Sequence, residues 1–367
     1  MILGTPFLRA QEKQKFLFEI KVNRKAGFID HTGKIVIEPK LNGAYEFSEG
    51  LAAAYIGNGQ FDEGYIDETG TVAIEPGFNV ASKFSEGFAW VGIDPNRKPY
   101  KLGPLTLYTS PASDSFDYNI GFIDKTGKWI AEPVYTLALD FSEGLAAVRA
   151  KDNKWGFIDT SGRLKIAAKF DWAQSFSNGR AVVFAEGKYG FIDKSGHYVV
   201  KPKYTNALDF SEGLACVKIG GRVREPGFGV HAVTTGNRDL RYGYIDVNGK
   251  VVFQITASDC RQFSEGFARI EMGGKWGFID KRGKIVIDPQ VDALSDFSEG
   301  LARVLLSDKK SGFGFINRSG KIVIKSQFPF VEDFKNGLAR VADSLTLYDA
   351  KFGYIDKFGR VIWEPTK

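Results

Sequence analysis

Apolar positions in this chain fall into short runs that keep returning in one order. In "KWGFIDTSGRLKI" (Lys154–Ile166), large side chains flank a glycine, an aspartate and a second glycine follow, and a further apolar run begins. The order recurs in "KWGFIDKRGKIVI" and, less literally, in "AGFIDHTGKIVI", "YGFIDKSGHYVV", "FGFINRSGKIVI" and "FGYIDKFGRVIW". The first run suits a strand buried on both faces. Its glycine, beside an aromatic residue, predicts that another backbone or ring packs close against it. Asp159 and Gly162 predict a tight turn, the carboxylate accepting from turn N–H groups and the glycine supplying a positive φ. The second run, "KIVIEP", predicts a β-branched strand that a proline ends, as at Pro39, Pro76, Pro133 and Pro289. No segment carries a convincing 3.6-residue period.

The Gly-aromatic-Ile-Asp element occurs nine times, with its glycine at 27, 64, 121, 156, 190, 243, 277, 314 and 353. Between consecutive copies stands Phe-Ser-Glu-Gly or a close variant, with its glycine at 50, 87, 144, 179, 213, 266, 300 and 337. A third strand, "LAAV" or "LARV", follows it. Its alanine recurs in all eight copies (Ala52, Ala89, Ala146, Ala181, Ala215, Ala268, Ala302, Ala339). A small residue kept at one strand position implies a close approach of layers, where a Leu would overpack by about 1–3 kcal/mol. The pattern predicts an all-β chain of three-stranded antiparallel β-meanders, none able to bury its own faces alone. Residues 16–367 read as a single array of about nine units, with "FLFEIKV" (Phe16–Val22) as an extra third-type strand feeding the first copy. Residues 1–15 read as a disordered tail or the remnant of a signal peptide.

Taken together, "KWGFID", the turn glycine, "IVIEP", the tyrosine of "KPKYTNALDF" and "FSEGLA" resemble the WG-containing (KWG) repeat family of bacterial proteins. The likeness spans residues 16 to 365, nearly the whole chain. It implies a structural repeat without an assigned catalytic residue, often in exported or envelope-associated proteins. The sequence departs from the pattern in that the slot before the glycine holds Trp only at Trp155 and Trp276, and two copies carry insertions.

Nine such units can stack openly or close. Propellers usually have four to eight blades of four strands. Nine three-stranded units therefore favour an open superhelical, solenoid-like stack. The alternative is a propeller-like closed ring, in which the extra N-terminal strand completes the last, incomplete unit.

Composition adds limits. The chain is 43% apolar and 14% aromatic, a globular balance, and its net charge of +5 is well mixed, so no nucleic-acid footprint is required. No apolar run is long enough for a transmembrane helix. Two cysteines, Cys216 and Cys260, exclude a four-cysteine zinc site; they read as free thiols, with one disulfide as the alternative. Turn aspartates and Ser-Glu-Gly glutamates recur, but each turn offers one carboxylate, where calcium needs several converging oxygens. His31, His197 and His231 have no fixed partner. The expectation is a non-enzyme with no catalytic residue, cofactor or metal.

Binding is expected where the repetition breaks. Both insertions, 94–119 and 220–243, fall between a third strand and the next glycine strand, so both should leave the same rim. They carry Arg97, Tyr100, Tyr108, Arg222, Arg224, Phe228 and Arg238. The residue after the recurrent alanine becomes Arg269, Arg303 and Arg340 in the last three copies, which in a regular array form a basic ladder able to hold carboxylate or phosphate groups. Pairing with Asp296, Asp333 or the turn glutamates is the plainer alternative. The functional expectation is an exported scaffold binding a protein or envelope polysaccharide. The alternatives are a passive spacer, a cytoplasmic location, or a hydrolase with carboxylates about 5–10 Å apart.

Overall fold

In each repeat the alanine strand pairs forward, with the glycine strand that follows it. Leu145–Arg149 runs antiparallel to Trp155–Asp159, which runs antiparallel to Leu164–Phe170. A fourth strand of two residues, Leu137–Ala138, pairs on the free side of the alanine strand. The computed structural model describes residues 16–56, 62–95, 98–102, 105–109, 118–221, 226, 241–305, 312–344 and 350–366, with backbone alone for 98–102, 105–109 and 365–366. Seven sheets of four strands share this order, and two sheets at the start of the chain have three. The first is Phe18–Val22, Lys25–Ile29 and Ile35–Leu41; the second is Leu51–Tyr55, Glu63–Asp67 and Val72–Phe78, with an Ala44–Ala54 bridge in place of the short strand. The expected three-stranded meander is thus right for the long strands and omits the short one.

The nine sheets are the blades of a closed β-propeller, which corrects the expectation of an open stack. The first and ninth blades pack face to face. Phe18 meets Tyr354 edge-on at 5.5 Å, the Tyr354 hydroxyl donates to the Glu19 carbonyl at 2.7 Å, and Phe18, Ile20, Ile29, Leu338 and Tyr354 share one core cluster. The N-terminal strand does not complete the ninth blade; Phe18–Val22 pairs with Lys25–Ile29 of its own blade. Closure needs no strand exchange, because the two-residue strand already gives the ninth blade four strands.

Local chemistry explains the recurrent residues. In all nine copies the Asp or Asn after the glycine strand accepts backbone N–H groups two and four residues on, as Asp30 does from Thr32 and Lys34 at 2.8 and 3.1 Å. The Thr or Ser hydroxyl inside the turn, then these N–H groups, hold Asp30, Asp67, Asp124 and Asp159 below the usual carboxylate range. The turn glycine has φ near +80°, and it backs onto the preceding blade: a Cβ on Gly70 would meet Ile37, and one on Gly33 would meet the Ile362 carbonyl across the closure. The glycine of the glycine strand faces a bulge in the terminal strand. A Cβ on Gly156 would lie 2.5 Å from the Ile166 oxygen. The eight recurrent alanines are all buried.

Ser-Glu-Gly turns link one blade to the next twice over. Each serine hydroxyl from Ser48 to Ser298 donates to the carbonyl of the next blade's turn phenylalanine, at 2.6–2.8 Å in seven pairs. The following Glu or Asn accepts the N–H of the next blade's turn glycine, also in seven pairs, for example Glu143 from Gly179 at 2.9 Å. The Glu or Asn of all eight turns sits in the left-handed region, with φ of 53–55°. Six of the eight are glutamates, a residue that conformation does not favour. A long carboxylate that reaches the neighbouring blade offsets that strain. Basic residues complete five of the links: Lys125–Glu49, Lys194–Glu143, Lys281–Glu212, Arg318–Glu265 and Lys357–Glu299.

Candidate functional site

The glycine strand runs from the alanine-strand hairpin to the Asp-Gly turn, so every blade has two ends. Ser-Glu-Gly and Asp-Gly turns lie at one rim, and the hairpins between alanine and glycine strands lie at the other. Both insertions replace such a hairpin. They join Phe88–Ile93 to Asn119–Asp124 in the third blade, and Leu214–Ile219 to Arg241–Asp246 in the sixth. The first insertion holds its own antiparallel pair, Lys98–Leu102 with Leu105–Thr109, which places Tyr100 and Tyr108 on paired strands. Arg97, Arg222, Arg224, Phe228 and Arg238 lie outside the described residues. In three other blades the same hairpin closes with two residues, at Asn23–Arg24, Glu186–Gly187 and Gly273–Gly274, and in the remaining four the strands are joined by five to nine.

Arg269, Arg303 and Arg340 do fall at one register, and each is engaged between blades. Arg269 of the seventh blade grips Asp296 of the eighth through two nitrogens at 2.6 and 3.1 Å, donates to the Leu294 carbonyl, and lies over the Trp276 ring. Arg303 repeats the arrangement with Asp333 at 3.7 Å, the Val331 carbonyl and the Phe313 ring. Arg340 binds Glu332 at 2.5 Å, approaches Glu19 of the first blade at 3.9 Å, and lies over Phe352. A bidentate guanidinium against a carboxylate is a strong polar contact, and here it joins blades. The ladder exists, and its charge is balanced from within the ring.

Trp90 shows the same device without a charge: its Nε1 donates to Asp140 at 2.9 Å, from the third blade to the fourth. Burial raises Asp140, with Lys83 and Trp90 opposing that shift. Asp209 occupies the equivalent place in the sixth blade. The fifth blade faces it with Val182, which has no donor. The Asp209 Oδ1 is sealed from solvent with no hydrogen-bond partner, and burial pushes the carboxyl up to about 7. The register that matters is the residue before the turn phenylalanine, which is an aspartate in four of the eight copies, Asp140, Asp209, Asp296 and Asp333. Glu63 is a further residue that the repeat disguised. It stands in the slot of Trp155, is 1% exposed, and accepts from the Ala81 N–H at 2.7 Å and the Tyr45 hydroxyl at 3.3 Å.

The cysteines are joined. Cys216 and Cys260 form a disulfide between the sixth and seventh blades, with Cα atoms 6.6 Å apart, which corrects the reading of two free thiols. They lie 44 residues apart in sequence and meet only because adjacent blades stack in register.

Three cavities mark the ring. Two adjoin the closure, where the first blade adds no Ser-Glu-Gly turn among the described residues. One of about 600 Å³ is lined by Glu19, Glu46, Lys335, Arg340 and Tyr354. The other, of about 830 Å³, is lined by His31, Asn336, Phe358 and Arg360. The third, of about 340 Å³, lies against Asp209. Among the described residues no three His, Cys, Asp or Glu side chains converge as metal ligands. No described helix is long and apolar enough to cross a membrane.

A model of the WG containing repeat matches residues 27–59, 64–94, 120–155, 155–189, 189–222, 242–276, 276–309 and 313–342. No curated protein matches the chain. Among solved structures, BamB from Moraxella catarrhalis is 12% identical over 60% of this chain and 70% of its own, with a TM-score of 0.36. PorZ of Porphyromonas gingivalis, a bacterial surface component of the type-IX secretion system, is 11% identical over 93% of this chain, with a TM-score of 0.32; the match spans 44% of PorZ. The WD40 β-propeller domain of Doa1 is 12% identical over 71% of this chain and 88% of its own, with a TM-score of 0.33.

Proposed function

Because the chain belongs to the WG-containing repeat family, we propose that it is a non-catalytic ring scaffold that holds a protein partner at the rim bearing its two insertions. One observation carries this reading. The alanine-to-glycine connection takes two residues in three blades and five to nine in four others, yet more than twenty in the third and sixth blades, on the same rim. Extra chain that the fold does not require is where binding concentrates. The opposite rim is occupied by its own Ser-Glu-Gly links, and the basic ladder is spent on blade contacts.

The test is to replace residues 95–118, or residues 222–241, by a two-residue turn and to pull down partners from a lysate of the native host. The expected result is loss of the captured protein with a melting temperature unchanged within about 2 °C. Capture equal to that of the intact ring overturns the proposal.

We propose further that the ring works outside the cytoplasm. The Cys216–Cys260 bond supports this, since such bonds persist in oxidising compartments. Protein taken from its native host and alkylated under denaturing conditions should then carry no label, whereas labelling of both cysteines contradicts the location.

A further inference from the structure

Four aspartates precede a turn phenylalanine: Asp140, Asp209, Asp296 and Asp333. Three of them receive a donor from the preceding blade, from the residue after its alanine: Trp90, Arg269 and Arg303 respectively. The fourth faces Val182, which is 1% exposed and carries no donor. The repeat itself therefore shows what chemistry belongs beside Asp209. In two sibling blades the carboxylate is met by a guanidinium, which also donates to the carbonyl three residues before the phenylalanine.

Space is present at this place. The cavity of about 340 Å³ is lined by Gln174, Asp209, Arg261, Gln262, Arg269 and Asp296, drawn from four consecutive blades. Its two arginines are already matched, Arg261 by Asp259 at 2.6 Å and Arg269 by Asp296 at 2.6 Å. Asp209 is the uncompensated charge of the lining, and its Oδ1 is buried without a partner. A buried polar atom left unpaired is costly, and a bound donor removes that cost.

From the unfilled place in this register, we infer that the Asp209 cavity binds an alkylguanidinium or alkylammonium group supplied from outside the ring. Its N–H donors meet the Asp209 carboxylate, as Arg269 meets Asp296. The inference stands apart from the insertion rim and holds whether or not that rim carries a partner.

Isothermal titration calorimetry on the full chain tests it with three probes. Agmatine presents a free guanidinium and an ammonium; the capped tripeptide acetyl-Gly-Arg-Gly-amide presents a side chain; myo-inositol presents hydroxyls alone. Binding of agmatine alone supports a free cation as the ligand, and binding of both cationic probes supports a basic side chain of a partner. Asp209→Asn should weaken either by at least tenfold. Val182→Arg, which restores the internal guanidinium of the sibling blades, should abolish binding; if that buried substitution fails to fold, Asp209→Asn decides. No heat from either cationic probe, binding unchanged within twofold in Asp209→Asn, or equal binding of myo-inositol overturns the inference.

Discussion

Replacing Asp209 by Asn tests the electrostatic reading of the ring without any ligand. The carboxyl is raised from the ordinary aspartate value of about 3.9 to about 7 by burial. Between these values the unfolded chain has released its proton while the folded ring keeps it, so stability falls as pH rises through this window. Above about 7 both states are ionised and the whole penalty is felt; below about 4 both are protonated and it vanishes. Three units at about 1.36 kcal/mol each set a ceiling of roughly 4 kcal/mol. The residue as a whole retains some solvent contact, so about 2 kcal/mol is the working figure. Urea unfolding of wild type and Asp209→Asn at pH 4, 6 and 8 measures it. The variant should match wild type at pH 4 and exceed it by about 2 kcal/mol at pH 8. A difference independent of pH, or a variant less stable at pH 8, refutes the reasoning.

Three other outcomes follow from named contacts. Gly156→Ala places a methyl 2.5 Å from the Ile166 oxygen and should cost about 2–3 kcal/mol in calorimetric unfolding. Glu143→Ala removes the acceptor of the Gly179 N–H and the partner of Lys194, and should cost about 1–3 kcal/mol. In a double-mutant cycle with Lys194→Met, the exposed ion pair should account for only about 0.2–1 kcal/mol of that, and a coupling above 2 kcal/mol would contradict it. Reducing Cys216–Cys260 opens a link across 44 residues and should lower stability by about 2–4 kcal/mol in chemical unfolding with and without dithiothreitol.

Much of the blade is legible because its requirements are local. An Asp that caps a turn, a glycine with positive φ and a small residue in a buried strand are demanded within a few residues, so Asp159, Gly162 and Ala146 announce themselves by recurrence. What recurrence misses lies at two scales. Leu137–Ala138 is too short to carry any alternation, so the fourth strand is invisible, and with it the argument that nine units could be ordinary propeller blades. Contacts between blades depend on stacking. For Arg269 the sequence leaves a binding ladder and a pairing with Asp296 both open, and only stacking sets Asp296, 27 residues away, against it. The two cysteines pair for the same reason. Asp209 is the reverse case: its three siblings are paired, and only the stacked ring shows that Val182 leaves it alone. The glutamates of the Ser-Glu-Gly turns read as solvated or bonded to backbone, and it is the stacking that shows each of the six accepting an N–H from the next blade.

Closure of the ring is the central claim, and a native lysine–glutamate pair spans it. Lys335 of the ninth blade and Glu46 of the second are in direct contact, 289 residues apart in sequence. Treating the monomer with a zero-length carbodiimide cross-linker and sequencing the linked peptides by mass spectrometry reads that contact directly. Lys194–Glu143 and Lys281–Glu212 serve as internal controls, since adjacent blades bring them together in an open or a closed array. The closed ring predicts the Lys335–Glu46 peptide alongside both controls in monomeric protein. Both controls without Lys335–Glu46 would contradict closure.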